Sequence, residues 1–355
     1  MRKRLTIIIV SAGLFIFPAL AQNPPQDKNW QVVFEDNFST FNTTRWHKSH
    51  DGIHGNGKGE EPQVYIRDNV YIENGSPKPK LVLKTVKLNS PYQWLSPPYQ
   101  CPKGNQCWYG SNHYYTSGQI SSNVAYKYGY FEIYAKLPGS KGYWPAFWFW
   151  NQHNAPTNCW YNEIDVFEIQ PCITDAYDAG YVYGFTCPNP TNEHGDGSKI
   201  ACNYASGYHW YGLEWDRDKI TWYLDRKIVK QEINNMGGKG IQNPMYIIIN
   251  VALHPNSGLC PIDPNTTIFP NYMYVDQANA YKLIYDCSGN TAVVNEISNY
   301  NTFNYAVKKS ISLSGASSLS SGQNVSLRAS DFIELKAGFE VPVGAELYLD
   351  INPCE

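Results

Sequence analysis

Short runs rich in Val, Ile, Tyr, Phe and Trp recur along the chain between clusters of Gly, Pro, Asn and Asp, and helical periodicity is almost absent. Apolar and β-branched runs bounded by turn residues predict short strands. Representative runs are Gln31 to Phe34, Leu81 to Lys84, Tyr128 to Lys136, Ile220 to Leu224 and Tyr246 to Val251. Many such strands over about 260 residues predict an all-β protein, with one large two-sheet β-sandwich from Trp30 to Cys287.

The pattern changes after Cys287, where Ser and Asn become frequent and aromatic residues thin out. We predict a linker over residues 288–304 and a small C-terminal β module over residues 305–355, because apolar and polar residues alternate in Val325–Leu327 and Ile333–Leu335. This tail resembles the short stacked-strand modules that close many secreted proteins of the Bacteroidetes. A sorting or spacer role and sugar binding are both open for it.

The N-terminal segment predicts export. Four residues with three positive charges, 1–4, precede an apolar run from Leu5 to Leu20, and Ala19-Leu20-Ala21 fits a signal-peptidase site. We expect a signal peptide over residues 1–21, cleaved between Ala21 and Gln22; an uncleaved membrane anchor is the alternative. No later run approaches the roughly 20 apolar residues of a membrane helix. We therefore expect a secreted, cell-surface or periplasmic protein with no membrane span.

Composition narrows the class of partner. The 355 residues include 28 basic and 31 acidic side chains, a net charge of -3, without the basic excess typical of nucleic-acid binding. The chain has 28 Tyr and 11 Trp, so some of these rings should lie at the surface, where flat amphipathic side chains suit sugar rings. We expect a polysaccharide partner, no nucleic acid, and a monomer.

Nine cysteines are available for pairing in an oxidising compartment. Nearest neighbours along the chain suggest four pairs, with Cys354 left over: Cys101–Cys107, Cys159–Cys172, Cys187–Cys202 and Cys260–Cys287. Spacing does not determine connectivity, so these pairs are hypotheses. Metal ligation by cysteine is the weaker reading because the sequence contains no CxxC motif.

Three carboxylates, Glu163, Asp165 and Glu168, lie within the single predicted strand 162–169. Glu163 and Asp165 share a face of a regular strand, but Glu168 would point into the core, where a lone carboxylate is very costly. One extra residue, a β-bulge near Val166-Phe167, would return Glu168 to the face of the other two. The pattern therefore predicts a row of three carboxylates on one open face.

Such a row suits retaining glycoside hydrolysis. One carboxylate attacks the anomeric carbon and a second protonates the leaving oxygen. The charge of Asp165 between them should help to keep Glu168 protonated and to orient Glu163. From spacing alone, an exposed acidic strand face or a calcium site remains an alternative.

The preceding strand, Tyr143–Trp150, carries Trp144, Trp148 and Trp150 on one face and two Phe residues on the other. The Phe side belongs to the core. The Trp side predicts a sugar-stacking platform beside the acidic row, with ordinary aromatic packing under a loop as the alternative.

Together these motifs resemble glycoside hydrolase family 16, because Glu163–Glu168 is similar to the family's bulged ExDxxE signature. Further stretches follow the family's order: Trp30 to Phe38, Ser117 to Ile120, Tyr128 to Glu132, Lys136 to Pro138, Trp144 to Trp148, Tyr208 to Trp215 and Val275-Asp276. The resemblance covers roughly residues 28–287. It implies a jelly-roll sandwich with a concave cleft, spanning 22–287, and an endo-acting, retaining mechanism.

By this resemblance Glu163 matches the nucleophile, Asp165 the assisting carboxylate and Glu168 the general acid/base. Trp144 and Trp148 match aromatic positions that line the cleft. No cofactor for catalysis is implied.

Other candidate contacts rest on weaker similarity. Glu61 and Gln63 lie in a segment that resembles the loop near the non-reducing subsites, although Gly59-Glu60 stands where the family often carries Asn. His194 and His254 are candidate substrate contacts near the cleft, with plain surface residues as the alternative.

Family members commonly hold a structural Ca²⁺ on the convex side. Glu35, the backbone of Gly75 and Asp276 match its ligands, and oxygen donors suit that ion. A plain turn or surface carboxylate is the alternative at each position.

The bulged signature is shared by β-1,3-glucanases, agarases, porphyranases and carrageenases. Residues 252–258 and 275–281 depart from the laminarinase pattern, yet no Arg or Lys cluster for a sulfated galactan accompanies the acidic strand. We therefore rank β-1,3-glucan of the laminarin type first and red-algal β-galactan second. A non-catalytic polysaccharide-binding protein and a transglycosylase remain alternatives.

Overall fold

The structure is a computed structural model that describes the chain in segments. The described residues are 30–49, 61–75, 78–92, 113–151, 160–169, 175–185, 191–194, 197–216, 219–234, 241, 243–254, 260–283, 291–294, 308–313 and 324–351. The predicted signal peptide lies outside them. The described residues include no helix long and apolar enough to cross a membrane.

Apart from the short 3₁₀ helix η1 (Arg67–Asn69), the regular structure in these segments is β. The strands in chain order are β1 (Trp30–Asp36), β2 (Trp46–Lys48), β3 (Gln63–Tyr65), β4 (Val70–Glu73), β5 (Lys80–Lys87), β6 (Tyr115–Ser117), β7 (Gln119–Ser122), β8 (Gly129–Lys136), β9 (Tyr143–Trp150), β10 (Trp160–Glu168), β11 (Ala176–Phe185), β12 (Thr191–His194), β13 (Ser198–Ala201), β14 (His209–Trp215), β15 (Lys219–Leu224), β16 (Lys227–Ile233), β17 (Tyr246–Leu253), β18 (Asn271–Leu283), β19 (Thr291–Val294), β20 (Lys308–Leu313), β21 (Asn324–Leu335) and β22 (Glu346–Ile351). Four of the five apolar runs taken from the sequence as strands lie within one of these strands, and the fifth, Tyr128 to Lys136, matches β8 except for Tyr128. The all-β prediction is therefore confirmed.

Two large sheets form the sandwich. A ten-stranded sheet runs in the order β16-β15-β14-β8-β18-β5-β6-β3, with β1 paired to β18 and β4 to β5. An eight-stranded sheet runs β12-β11-β10-β9-β17-β7-β2, with β13 paired to β11. Strand β10, which carries the acidic residues, is therefore an interior strand of the eight-stranded sheet, flanked by β9 and β11.

Alternation along the strands builds the core between the sheets. Phe131 and Ile133 of β8 are buried on the inner side of the ten-stranded sheet, and Phe147 and Phe149 of β9 on the inner side of the eight-stranded sheet. The rings of Phe131 and Phe149 meet with centroids 4.9 Å apart, which joins the two layers. Burial of each such side chain stabilises the fold by about 1.5–3 kcal/mol. The outer face of each sheet is the one turned away from this core.

Strands β19 to β22 form a separate four-stranded sheet in which every pairing is parallel and the order follows the chain. Ile311 and Leu313 of β20 are fully buried there. Strand β19 lies inside residues 288–304, the predicted linker, so this sheet begins before residue 305. The four-residue run of β19 was too short to distinguish from a linker by its periodicity.

Cys202 is a free thiol buried in the main core, so the predicted Cys187–Cys202 pair is wrong. Burial raises the pKa of this thiol to about 11. Each of the three other predicted pairs includes at least one cysteine outside the described residues.

Candidate active site

The acidic strand contains the bulge that its sequence predicts. Across from β10 on strand β9, Asp165 pairs with Trp148 and Phe167 pairs with Phe147, so Val166 is an extra residue between them. The pairing of β10 with β11 shifts register over the same stretch. An inserted residue reverses the alternation of every side chain after it.

This reversal puts the three carboxylates on one face. Val166 and Phe167 are both buried in the core, whereas Glu163 and Glu168 are only partly buried. Asp165 lies between them with 8% of its surface exposed. The predicted arrangement of the three carboxylates on one face of the strand is therefore confirmed, and this face is the outer face of the eight-stranded sheet.

The bulge is held from below by the other sheet. The indole Nε1 of Trp222, on β15, donates a hydrogen bond of 2.8 Å to the backbone carbonyl of Asp165. Buried carbonyls interrupted in their ladder pairing need another donor. The contact fixes the backbone under the central carboxylate and joins the two sheets at that point.

The row creates an electrostatic conflict at its centre. Burial, and then the neighbouring charges of Glu163 and Glu168, raise the pKa of Asp165 well above its usual range. Carboxyl groups this close titrate together. The sequence reasoning treated Asp165 as a charge that keeps Glu168 protonated; burial instead favours a proton on Asp165 itself.

Trp144 contacts the last carboxylate of the row. Its Nε1 donates a 3.0 Å hydrogen bond to Oε2 of Glu168. Its ring stacks on the ring of His254 at 4.9 Å and an interplanar angle of 8°. His254 Nε2 lies 3.1 Å from the carbonyl oxygen of Ile169, and this nitrogen carries the proton because a carbonyl only accepts.

The sequence left His254 open as a substrate contact or a plain surface residue, and its burial contradicts the surface alternative. Only 3% of its surface is exposed, and burial lowers its pKa. The neutral ring supports Trp144 from behind.

Trp148 is fixed by a chain of amide and hydroxyl groups. Its Nε1 donates to Oδ1 of Asn250 at 2.8 Å, and Nδ2 of Asn250 donates to the hydroxyl of Tyr65 at 2.9 Å. Its ring also stacks on Trp150, with centroids 5.5 Å apart. Sequence reasoning missed Asn250 and Tyr65. The sequence could have pointed to Asn250, because it is the one polar residue in the apolar run Tyr246–Leu253.

Glu61 and Gln63 lie beside this network. Gln63 Nε2 donates to Oε2 of Glu61 at 2.6 Å, and Gln63 Oε1 accepts from the backbone N–H of Leu253 at 2.9 Å. Burial raises the pKa of Glu61 to about 8. The charge of Glu61 also acts on Tyr65, so the structure brings Glu61 next to the group that positions Trp148.

His194 ends β12, two strands from β10, where its backbone pairs with Val182 of β11.

The predicted calcium ligands belong to the ten-stranded sheet and its surroundings. Glu35 accepts a 2.7 Å hydrogen bond from the hydroxyl of Tyr281, and Asp276 lies 3.6 Å from the ammonium group of Lys78. Oxygen donors suit Ca²⁺, but both carboxylates already contact other groups. Within the described segments no cluster of three or more His, Cys, Asp or Glu residues could hold a metal ion. A calcium at Glu35, Gly75 and Asp276 stays a prediction.

A two-sheet β fold with carboxylates aligned beside Trp side chains is the arrangement expected of a glycoside hydrolase. The model of the family "Glycosyl hydrolases family 16" matches residues 44–257. That is more than half of the chain, and the chain belongs to this family.

Curated relatives are similar at modest identity. The endo-1,3-1,4-beta-glycanase ExsH of Rhizobium meliloti (strain 1021) is 29% identical over 172 residues, covering 48% of this chain and 34% of that protein. The glucan endo-1,3-beta-glucosidase A1 of Niallia circulans is 26% identical over 298 residues, covering 77% of this chain and 40% of that protein. These alignments span well under half of each relative's length.

Among solved structures, the laminarinase catalytic domain from Thermotoga maritima MSB8 superimposes with a TM-score of 0.55. It is 25% identical, and the match covers 72% of this chain and 99% of that domain. The match confirms the jelly-roll sandwich that the resemblance implied.

Proposed function

We propose that the chain is an exported, retaining endo-β-glycanase that hydrolyses β-1,3-linked glucan. The observation that carries this proposal is the bulge in β10, which brings Glu163, Asp165 and Glu168 to one face. A protein that only binds sugar would not need a bulge that turns a third carboxylate toward its ligand.

In the first step a carboxylate oxygen of Glu163 attacks the anomeric carbon, and the bond from that carbon to the leaving oxygen breaks. Glu168 gives its proton to the leaving oxygen, while Trp144 holds the carboxyl group in position. In the second step ionised Glu168 takes a proton from water, whose oxygen attacks the anomeric carbon and releases Glu163. Two inversions retain the anomeric configuration.

Asp165 supports both steps from the centre of the row. Its raised pKa favours a proton on Asp165 while Glu163 is ionised. A protonated Asp165 can donate a hydrogen bond to a neighbouring carboxylate, whereas an ionised one would repel it. The row then carries fewer negative charges than three separate carboxylates would.

The substrate proposal rests on the relatives and on the surface beside the row. The name of the Niallia circulans relative specifies a 1,3-linked β-glucan, and that of the Rhizobium meliloti relative a 1,3-1,4-linked β-glycan. Trp144 and Trp150, which are partly exposed, provide flat apolar contact area for neutral sugar rings, and the buried Trp148 stacks on Trp150. Export is proposed on the N-terminal sequence pattern alone.

Reducing-end release from laminarin, lichenan, agarose, porphyran and κ-carrageenan tests the proposal. We expect laminarin to be cleaved, with loss of activity in Glu163→Gln and full activity in Glu73→Gln, a control in a half-exposed ion pair with Lys80. Proton NMR of the first product should show the β anomer. If only a galactan is cleaved, β-1,3-glucan is not the substrate and a β-galactan is. Tight binding without cleavage of any polymer would overturn the enzyme proposal.

A further inference from the structure

A second feature lies on the outer face of the eight-stranded sheet, extending from the strand next to the three carboxylates toward β2. It is a pocket of about 310 Å³ between β2, β7, β9 and β17. Its lining includes His47, Ser121, Asn123, Trp150, Tyr246 and Ile248. Sequence reasoning placed Trp150 on the predicted sugar-stacking face and assigned no role to the other five residues.

Strand register connects this pocket to the acidic row. Asp165 lies opposite Trp148, Trp148 opposite Ile248, Ile248 opposite Ser121, and Ser121 opposite His47. Residues directly opposite each other in neighbouring strands share a face. The pocket therefore lies on the same face as the carboxylates, and its far wall is four strand spacings, about 19 Å, from β10.

The near wall of the pocket is aromatic. Trp150 lies directly opposite Glu163 on one side and Tyr246 on the other. Its ring stacks on Trp148, which is held by Asn250. A rigid Trp beside a Tyr presents a surface on which the C–H face of a pyranose ring can stack.

The far wall supplies polar groups with defined roles. Asn123 donates through Nδ2 to the carbonyl oxygen of Thr43 at 2.9 Å, so its Oδ1 is the acceptor facing Nδ1 of His47 at 3.0 Å. His47 Nδ1 then carries the proton, and in the neutral ring Nε2 is left as an acceptor. Such an acceptor suits a sugar hydroxyl.

The described residues that line this pocket include no Lys, Arg, Asp or Glu. A sulfate or carboxylate group would lose its hydration there without gaining a fixed opposite charge, which is costly. Hydroxyl groups would meet the imidazole, amide and serine side chains, and the ring would meet the aromatic wall.

From this geometry we propose that the pocket is a distal subsite for one uncharged glycosyl unit of the substrate chain. The proposal rests on the proposed function for its substrate class. It deepens that function in two ways: the enzyme prefers long chains that reach the pocket, and it prefers unsulfated units at that position.

Binding to the non-hydrolysing variant tests the pocket independently of turnover. Calorimetry on Glu163→Gln would compare neutral β-1,3-gluco-oligosaccharides of three and of six units. We expect the six-unit sugar to bind more tightly. Adding His47→Ala, or Asn123→Ala as a second exposed substitution, should weaken it about tenfold and leave the three-unit sugar unchanged. His209→Ala is the matched control, since this histidine lies on β14 of the other sheet.

Equal losses for both lengths, or none for either, would overturn the subsite. Tighter binding of a six-unit sulfated galacto-oligosaccharide than of the neutral glucan would also overturn it. Failure of the proposed function is distinguished from these results because it would appear as absent hydrolysis by the unsubstituted protein, whether or not the six-unit sugar binds through His47.

Discussion

Two buried carboxylates on opposite outer faces of the sandwich have very different surroundings. Glu132 of β8, on the ten-stranded sheet, has 1% of its surface exposed. It accepts hydrogen bonds from Asn279 at 2.9 Å and Tyr130 at 3.1 Å, and Arg226 lies 3.4 Å away. These three groups lower its pKa, so that burial raises it only to about 7.

Asp165, on the eight-stranded sheet, has the opposite arrangement. The causes that shift its pKa, namely burial and the charges of Glu163 and Glu168, all raise it. Burial costs both carboxylates, but only Glu132 receives a cation and two donors in return. The difference indicates a structural role for Glu132, whereas carboxyl groups perturbed in the way that Asp165 is cluster at functional sites.

The sharpest test of this contrast is Glu168→Gln, which keeps the shape of the side chain but removes its proton transfer. We expect kcat on polysaccharide to fall roughly 10²–10⁴-fold. The free energy of unfolding should stay the same or rise, because one of three adjacent carboxyl groups is replaced by a neutral amide. Steady-state kinetics and urea denaturation measure the two effects.

A control separates chemistry from misfolding in this variant. Azide attacks the glycosyl-enzyme without a general base, so it should restore turnover of an aryl β-oligoglycoside with an acidic phenol as leaving group. No rescue by azide, together with a loss of stability, would count against the assignment of Glu168.

The counterpart on the other face is Glu132→Ala. This substitution removes the carboxylate to which Asn279 and Tyr130 donate and beside which Arg226 lies. We therefore expect the free energy of unfolding to fall by about 3–5 kcal/mol. kcat per folded molecule should not change. Glu73→Ala, in its half-exposed pair with Lys80, should cost at most about 1 kcal/mol. Equal losses in the two variants would remove the contrast between the faces.

Much of this arrangement was accessible from the sequence, for an identifiable reason. The bulge was predicted because an unpaired Glu168 could not be buried in the core. The Trp face was predicted because Trp and Phe alternate along the strand and the Phe side belongs to the core. Both arguments use only local periodicity and the cost of burying charge.

The parts that were missed depend on contacts between distant segments. Gln63 contacts Leu253 and Tyr65 contacts Asn250, although 190 and 185 positions separate them along the sequence. Whether His254 lies at the surface or behind Trp144 is likewise decided by packing, not by its neighbours in sequence. Local patterns carry no information on such pairs when no strand order is known.

A smaller effect is the pH dependence of stability. Glu132 and Glu61 have folded-state pKa values of about 7 and about 8, above the value of 4.5 for an unperturbed carboxyl. A raised pKa means that the folded state binds the proton more tightly. Their contribution to the free energy of unfolding is therefore complete below pH 4.5 and is lost as the pH rises to 8.

Glu132→Gln should remove part of this pH dependence. Between pH 4.5 and 7 the free energy of unfolding of the variant should fall by about 1–3 kcal/mol less than that of the unsubstituted protein. Urea denaturation at a series of pH values, with Glu73→Gln as the control, measures it. An unchanged slope in Glu132→Gln would mean that Glu132 stays ionised in the folded protein, with its partners outweighing burial.

The smallest expected effect concerns His254, which we expect to position Glu168 through Trp144 without taking part in proton transfer. His254→Ala removes the ring behind Trp144, the residue that holds Glu168, and stacked rings contribute about 0.5–1.5 kcal/mol. We expect kcat on polysaccharide to fall roughly three- to tenfold with little change in KM. First-turnover release of an acidic phenol, which needs no proton from Glu168, should be spared. His254→Phe keeps a flat ring against Trp144 and should recover most of the rate. If the Phe variant is as slow as the Ala variant, or if phenol release slows equally, His254 does not act by positioning the acid.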